Sequence, residues 1–179
     1  GSWLFLSDNG GVTDALVPLM REAGQKVYVA KSTDAACAFL SSEDGEGLSG
    51  VLHLWAMDSR ESKPDEFLLA SLKVVQVLNQ VGGTGKHWFV TKGAQAVNVD
   101  DIVIPWQSQF RGFGRPLQVE QLERLGGCID LDPVFDEVHS CELQFDHIYQ
   151  WHSYHIHISI IHQYIRWCYL IAMKTPFVP

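Results

Sequence analysis

The turn after the first apolar run, Asp8-Asn9-Gly10-Gly11-Val12-Thr13, lacks the Gly-x-Gly-x-x-Gly spacing, with Asp8 and Thr13 where further glycines would stand. That removes the usual backbone cradle for a dinucleotide pyrophosphate at the start of a helix. Tyr-x-x-x-Lys occurs nowhere in the chain, so a common proton-transfer pair is missing too. Cysteine is scarce: Cys37, Cys128, Cys141 and Cys168 lie far apart with no Cys-x-x-Cys, which excludes a disulfide framework and reads as reduced thiols in a cytoplasmic protein. Positive charge is scarce as well. Lys and Arg number 13 against 21 Asp and Glu, a formal net charge of -8, which excludes the clustered basic surface that nucleic acid or an anionic membrane requires. Long apolar runs are absent: Ile156 to Met173 is interrupted by His157, His162, Gln163 and Arg166, so no membrane span is expected. Trp3 to Leu6 is too short for the apolar core of a secretion signal, and no cleavage site follows it.

What is present is an alternation of strand and helix signals. Trp3 to Ser7 is an apolar run that enters the Gly10-Gly11 turn, the mark of a buried strand. Val12, Ala15, Leu16, Leu19, Met20 and Ala23 then share one face of a helix closed by Gly24, with a kink expected at Pro18. Strands are expected at Lys26–Ala30, Gly50–Trp55, His87–Thr91 and Cys128–Leu131, and a short helix over Asp34–Ser42. Ser62-Lys-Pro-Asp65 reads as a helix start with Ser62 as N-cap. The helix it opens should bury Phe67, Ala70, Val74, Val77, Leu78 and Val81 and end at Gly82-Gly83. Pro105 to Glu120 should be helical only in part, broken by Gly112, Gly114 and Pro116. The expected fold class is α/β: a truncated, Rossmann-like, doubly wound and mostly parallel sheet of about five strands, with a divergent C-terminal tail.

The pattern stops at Pro133. Residues 134–179 contain no glycine and hold His139, His147, His152, His155, His157 and His162. The chain is therefore divided into a Rossmann-like unit over 1–133 and a histidine-rich tail over 134–179 of uncertain fold, whose break in pattern fits a truncated or out-of-frame end as well as a native extension.

Four stretches resemble the ketoreductase region of modular type I polyketide synthases, and more narrowly its N-terminal structural subdomain. They are Trp3–Val12 (WLFLSDNGGV), Gly50–Asp58 (GVLHLWAMD), Trp88–Ala96 (WFVTKGAQA) and Gln107–Pro133 (QSQFRGFGRPLQVEQLERLGGCIDLDP). Phe110-Arg111, Phe113 and Pro116 depart from the family's apolar helix pattern there. The resemblance implies a cofactor-free half that supports a second, NADPH-binding half, in which a Ser, a Tyr and a Lys reduce a carrier-bound β-ketoacyl thioester. This chain matches the first half, so no catalytic residue is carried over. The implied partners are the catalytic ketoreductase subdomain and neighbouring synthase domains, with no nucleic acid and no membrane.

Several residues invite a chemical reading. Gly10 and Gly11 could bind phosphate at a helix start, making the chain a complete small NADP-binding reductase, with Lys31 near a 2′-phosphate; the alternative is a tight turn that needs glycine. His53, in an apolar strand, reads as a hydrogen-bonded packing residue. Asp58, Asp130 and Asp132 sit at strand exits and read as solvated loop carboxylates. Cys37 and Cys128 read as small buried apolar groups. In the tail, His155 and His157 would share one face of a strand, with His152, His162, Cys141 or Asp146 to complete a metal- or partner-binding module.

Overall fold

The computed structural model describes residues 1–96 and 101–131. The expectations for Asp132 and for the tail, including His155 and His157, lie outside the described residues.

The order is β1 (Ser2–Leu6), α1 (Val12–Glu22), β2 (Lys26–Ala30), α2 (Thr33–Leu40), β3 (Gly50–His53), a 3₁₀ turn (Trp55–Asp58), α3 (Glu66–Gln80), β4 (Lys86–Lys92), α4 (Pro105–Glu120) and β5 (Leu125–Leu131). The five strands form one sheet in the order β2-β1-β3-β4-β5, and every neighbouring pair is parallel. This is the α/β class expected from the alternation. Continuous apolar strands suit such a sheet because both of its faces are covered.

The period of two along each strand separates the core into layers. Trp3, Phe5, Leu52, Leu54, Trp88, Val90 and Ile129 meet Val12, Val17 and Met20 of α1. On the opposite face Leu4, Leu6, Ala30 and Val51 meet Ala36 and Leu40 of α2 and Val74, Val77 and Leu78 of α3. A third cluster joins Phe89 to Val75 of α3 and to Phe110 and Leu117 of α4. One glycine is dictated by a ring: a Cβ on Gly126 would lie 2.2 Å from the Trp88 indole, so Trp88 lies over β5 only because that side chain is missing.

Four local expectations are corrected. The buried face of α1 contains Thr13 and Val17, while Ala15 is exposed, because Asp8 draws Thr13 inward. Helix α3 begins at Glu66 after Asp65, with no side-chain cap, so Ser62 does not cap it; Arg60 and Lys63 instead form an isolated bridge across that segment. Val81 is 46% exposed, since it follows the last helical residue. Helix α4 runs unbroken through Gly112, Gly114 and Pro116. The carbonyl four residues before Pro116 belongs to Gly112, which is exposed and has open space around its Cα, where water can satisfy what the proline ring cannot. Gly114 is buried against β5, where an added Cβ would come within 2.9 Å of the Cys128 Sγ. The apparent helix breaker is a packing device.

Among the described residues no helix is long and apolar enough to cross a membrane.

Candidate functional site

The strand order reverses between β1 and β3, and the crevice above their C-terminal ends is where doubly wound sheets hold ligands. A cleft of about 210 Å³ opens there, with Asp8, Asn9, Asp14, Lys31, Trp55 and Asp58 among its walls. The structure thus brings Lys31 and the β1–α1 turn to one place.

The turn is closed by its own side chains. Gly11 takes φ 95° at the entry to α1, a left-handed conformation that favours glycine; Gly10 is not among the positive-φ glycines. The Asp8 carboxylate turns back over the helix start. Its Oδ2 accepts from the Val12 amide at 3.0 Å, and its Oδ1 accepts from the Thr13 amide at 2.8 Å and the Thr13 hydroxyl at 2.6 Å. A carboxylate therefore occupies the position at which the first free N–H groups of a helix would otherwise hold an external anion. Asp58, from the 3₁₀ turn after β3, accepts from the Asn9 amide at 3.1 and 3.0 Å and from Asn9 Nδ2 at 2.9 Å. Burial raises its carboxyl above the ordinary value, opposed by the Asn9 backbone hydrogen bond and reinforced by the Asp8 charge. Asp58 is half-buried and bonded, so the expectation of a solvated loop carboxylate is corrected.

Asp130 is corrected in the same way. Its Oδ1 accepts from the Thr91 hydroxyl at 2.8 Å and the Ala94 amide at 2.9 Å, and its Oδ2 from the Gln95 amide at 2.9 Å. The loop after β4 is folded around this one carboxylate. From α4, the Ser108 hydroxyl donates to the Ala94 carbonyl at 2.7 Å. Gln107, 3% exposed, donates through Nε2 to the Ala56 carbonyl at 2.8 Å and accepts the Lys92 amide at 3.3 Å. Gln107→Leu roughly keeps the volume and removes one of two donors to the Ala56 carbonyl, which still accepts from the Ser59 amide at 3.1 Å. It should lower the unfolding free energy by about 0.5–1.5 kcal/mol, read as a shift in the urea midpoint at constant slope.

Of the remaining candidates His53 is internal, whereas Cys37 and Cys128 are only half-buried, which corrects the expectation of buried apolar groups: each sits at the margin of a core cluster. His53 is fully buried and its Nε2 lies 3.0 Å from Nδ1 of His87, as expected of a hydrogen-bonded packing residue. Burial raises the Cys37 thiol, opposed by Lys73 and reinforced by Asp34; burial also raises Cys128, to about 11, opposed by Arg111 and reinforced by Asp130. Both are free cysteines and stay neutral thiols, poor nucleophiles. Among the described residues no group of three or more His, Cys, Asp or Glu is placed to hold a metal ion. A Gly-x-Gly-x-x-Gly spacing does occur at Gly45, Gly47 and Gly50, a signal the motif reading passed over. It leads into β3 instead of out of a strand into a helix, and a Cβ on Gly50 would lie 2.6 Å from the Trp3 ring. These glycines serve a loop and a packing contact.

No family model matches the chain. Among curated proteins it is 38% identical over 93 residues to the pikromycin polyketide synthase component PikAII of Streptomyces venezuelae, covering 49% of this chain and 2% of that one. It is 31% identical over 126 residues to erythronolide synthase EryA3 of Saccharopolyspora erythraea, covering 69% of this chain and 4% of that one. Among solved structures, a C2-type ketoreductase from a modular polyketide synthase superposes with a TM-score of 0.62 at 27% identity, over 77% of this chain and 33% of that chain. This chain resembles the ketoreductase region of modular polyketide synthases. An A-type ketoreductase from a modular polyketide synthase, at 23% identity and a TM-score of 0.55, shows the same fold. The ketoreductase-like chain spans about a third of the solved ketoreductase and a few hundredths of the synthases it matches. All four family stretches contain polar residues engaged in the bonds just described: Asp8 in the first, His53 and Asp58 in the second, Thr91 to Gln95 in the third, and Gln107, Ser108 and Asp130 in the last.

Proposed function

We propose that residues 1–133 are the non-catalytic, structural half of a polyketide synthase ketoreductase. In this reading they form a platform for an NADPH-binding half that reduces a carrier-bound β-ketoacyl thioester. The observation that carries it is the state of the switch-point crevice: the helix N-terminus available to a pyrophosphate is occupied by Asp8, and two further carboxylates, Asp14 and Asp58, line the cleft. Like charges in a confined cleft oppose a polyanionic cofactor. The polar groups at the ends of β4 and β5 are similarly engaged with one another, leaving no nucleophile–base pair among the described residues. The partners are the catalytic subdomain and adjoining synthase domains. Gly10, Gly11 and Lys31 serve the turn and the rim of the cleft.

The 179-residue chain should give no saturable change in NADPH fluorescence and should not oxidise NADPH in the presence of a β-ketoacyl thioester. Added to a separately produced NADPH-binding half of a related ketoreductase, it should form a one-to-one complex on size exclusion. Saturable NADPH binding abolished by Gly11→Val would instead make the chain a complete small reductase.

A further inference from the structure

The sheet contains one polar contact that neither the cleft nor the platform reading uses. His53 at the end of β3 and His87 near the start of β4 are 0% and 1% exposed. Their facing nitrogens, His53 Nε2 and His87 Nδ1, are 3.0 Å apart. The outer nitrogens, His53 Nδ1 and His87 Nε2, are buried without a hydrogen-bond partner among the described residues. Register explains the meeting: Val51 pairs with His87 and His53 with Phe89, so the two imidazoles lie diagonally on one face, 4.4 and 6.4 Å from the Phe89 ring centre.

One proton lies between the rings in the neutral pair, donated by one nitrogen and accepted by the other. A first added proton must sit on an outer nitrogen that has no acceptor. A second must enter the central bond and place two imidazolium N–H groups head to head. Both events put charge into a layer built from Val75, Phe89, Phe110 and Leu117, where an unpaired charge is strongly disfavoured.

The groups around the pair offer no compensation. Among the described residues the charge that acts on His87 is that of Arg124, ahead of β5, which disfavours a second cation; on His53 it is that of His87. Val75 of α3 and Phe110 and Leu117 of α4 are apolar, and the Cys128 thiol of β5, in the same cluster, stays neutral.

We infer that the His53–His87 pair is an acid-sensitive latch across the β3–β4 seam, closed while both rings are neutral and opened by their protonation. Opening separates β4, β5 and α4 from the three-stranded remainder, with α3 as the connecting element. Burial pulls His53 well below the ordinary histidine range, with the neighbouring ring adding to it; burial, then Arg124, pulls His87 down to about 4. Folded values below the unfolded value of about 6.5 mean that the opened chain binds more protons. Stability is complete above about pH 6.5 and falls as pH drops toward 4.

The test uses the whole chain. Proton NMR of the histidine ring signals should show that the imidazoles of His53 and His87, assigned from the single His53→Phe and His87→Leu variants, stay neutral down to pH 5 in the folded chain. Amide exchange at pH 5 against pH 7 should show protection in β4 and β5 falling by about tenfold or more, with β1 and β2 changing far less. In the double variant His53→Phe/His87→Leu that difference should vanish. Three results would overturn the latch: either buried ring titrating near 6.5 in the folded chain, equal loss of protection in all strands, or an unchanged response in the double variant. If that variant does not fold, the ring titration and the strand-resolved exchange of the unaltered chain still decide.

Discussion

Asp8→Ala should cost about 2–4 kcal/mol of unfolding free energy, large for a side chain at the mouth of a cleft. Asp8 is 7% exposed, and its carboxylate is the acceptor for three donors at the start of α1: two backbone amides and the Thr13 hydroxyl. Alanine leaves the Val12 and Thr13 amides facing the crevice and removes the negative charge that complements the helix dipole. Asp8→Asn retains one acceptor oxygen and should recover roughly half of the loss. Urea unfolding followed by circular dichroism measures both. Equal losses for alanine and asparagine would show that the charge, not the acceptor geometry, holds the turn. A loss under about 0.5 kcal/mol for alanine would show that the amides find other partners, and the self-filled crevice would no longer argue against an external anion.

Phe89→Ala should be more severe, about 3–5 kcal/mol. The ring is fully buried, packs edge-on against Phe113 at 5.6 Å, lies against both histidines, and joins β4 to Val75, Phe110 and Leu117. It is the element through which α4 is seated on the sheet, so truncation leaves a cavity shared by β4, α3 and α4. Thermal unfolding should show a lowered midpoint. If the helical signal of α4 is lost before the sheet melts, two-state behaviour fails, and the third cluster is a separate cooperative unit.

Much of the fold was legible because parallel strands buried on both faces are continuous apolar runs. Trp3–Leu6 and Trp88–Val90 stand out on that ground alone, whereas β2, at the sheet edge with Val29 exposed, is marked by its β-branched and aromatic residues instead. Helix faces were less legible. In α1 the inward turn of Thr13 comes from a carboxylate five residues earlier, which no apolar period registers. In α4, Gly114 and Pro116 have the composition of a break, yet one lies against Cys128 and the other points to water. Beyond the elements themselves, pairing distance limits what can be read: His53 and His87 are 34 positions apart and meet only through the β3–β4 register. Asp130 likewise shows its role only when the Thr91–Gln95 loop is folded against it. Asp8 was the legible exception that went unread, as an acid at a strand end four residues ahead of the first helical amide.

The strand order bears on how the chain is made. β1 lies between β2 and β3, so β3 joins the edge of β1 that β2 leaves open, after which β4 joins β3 and β5 joins β4. No described strand must insert between two that are already paired. Each can therefore add in the order of translation to an edge that is already made and still open.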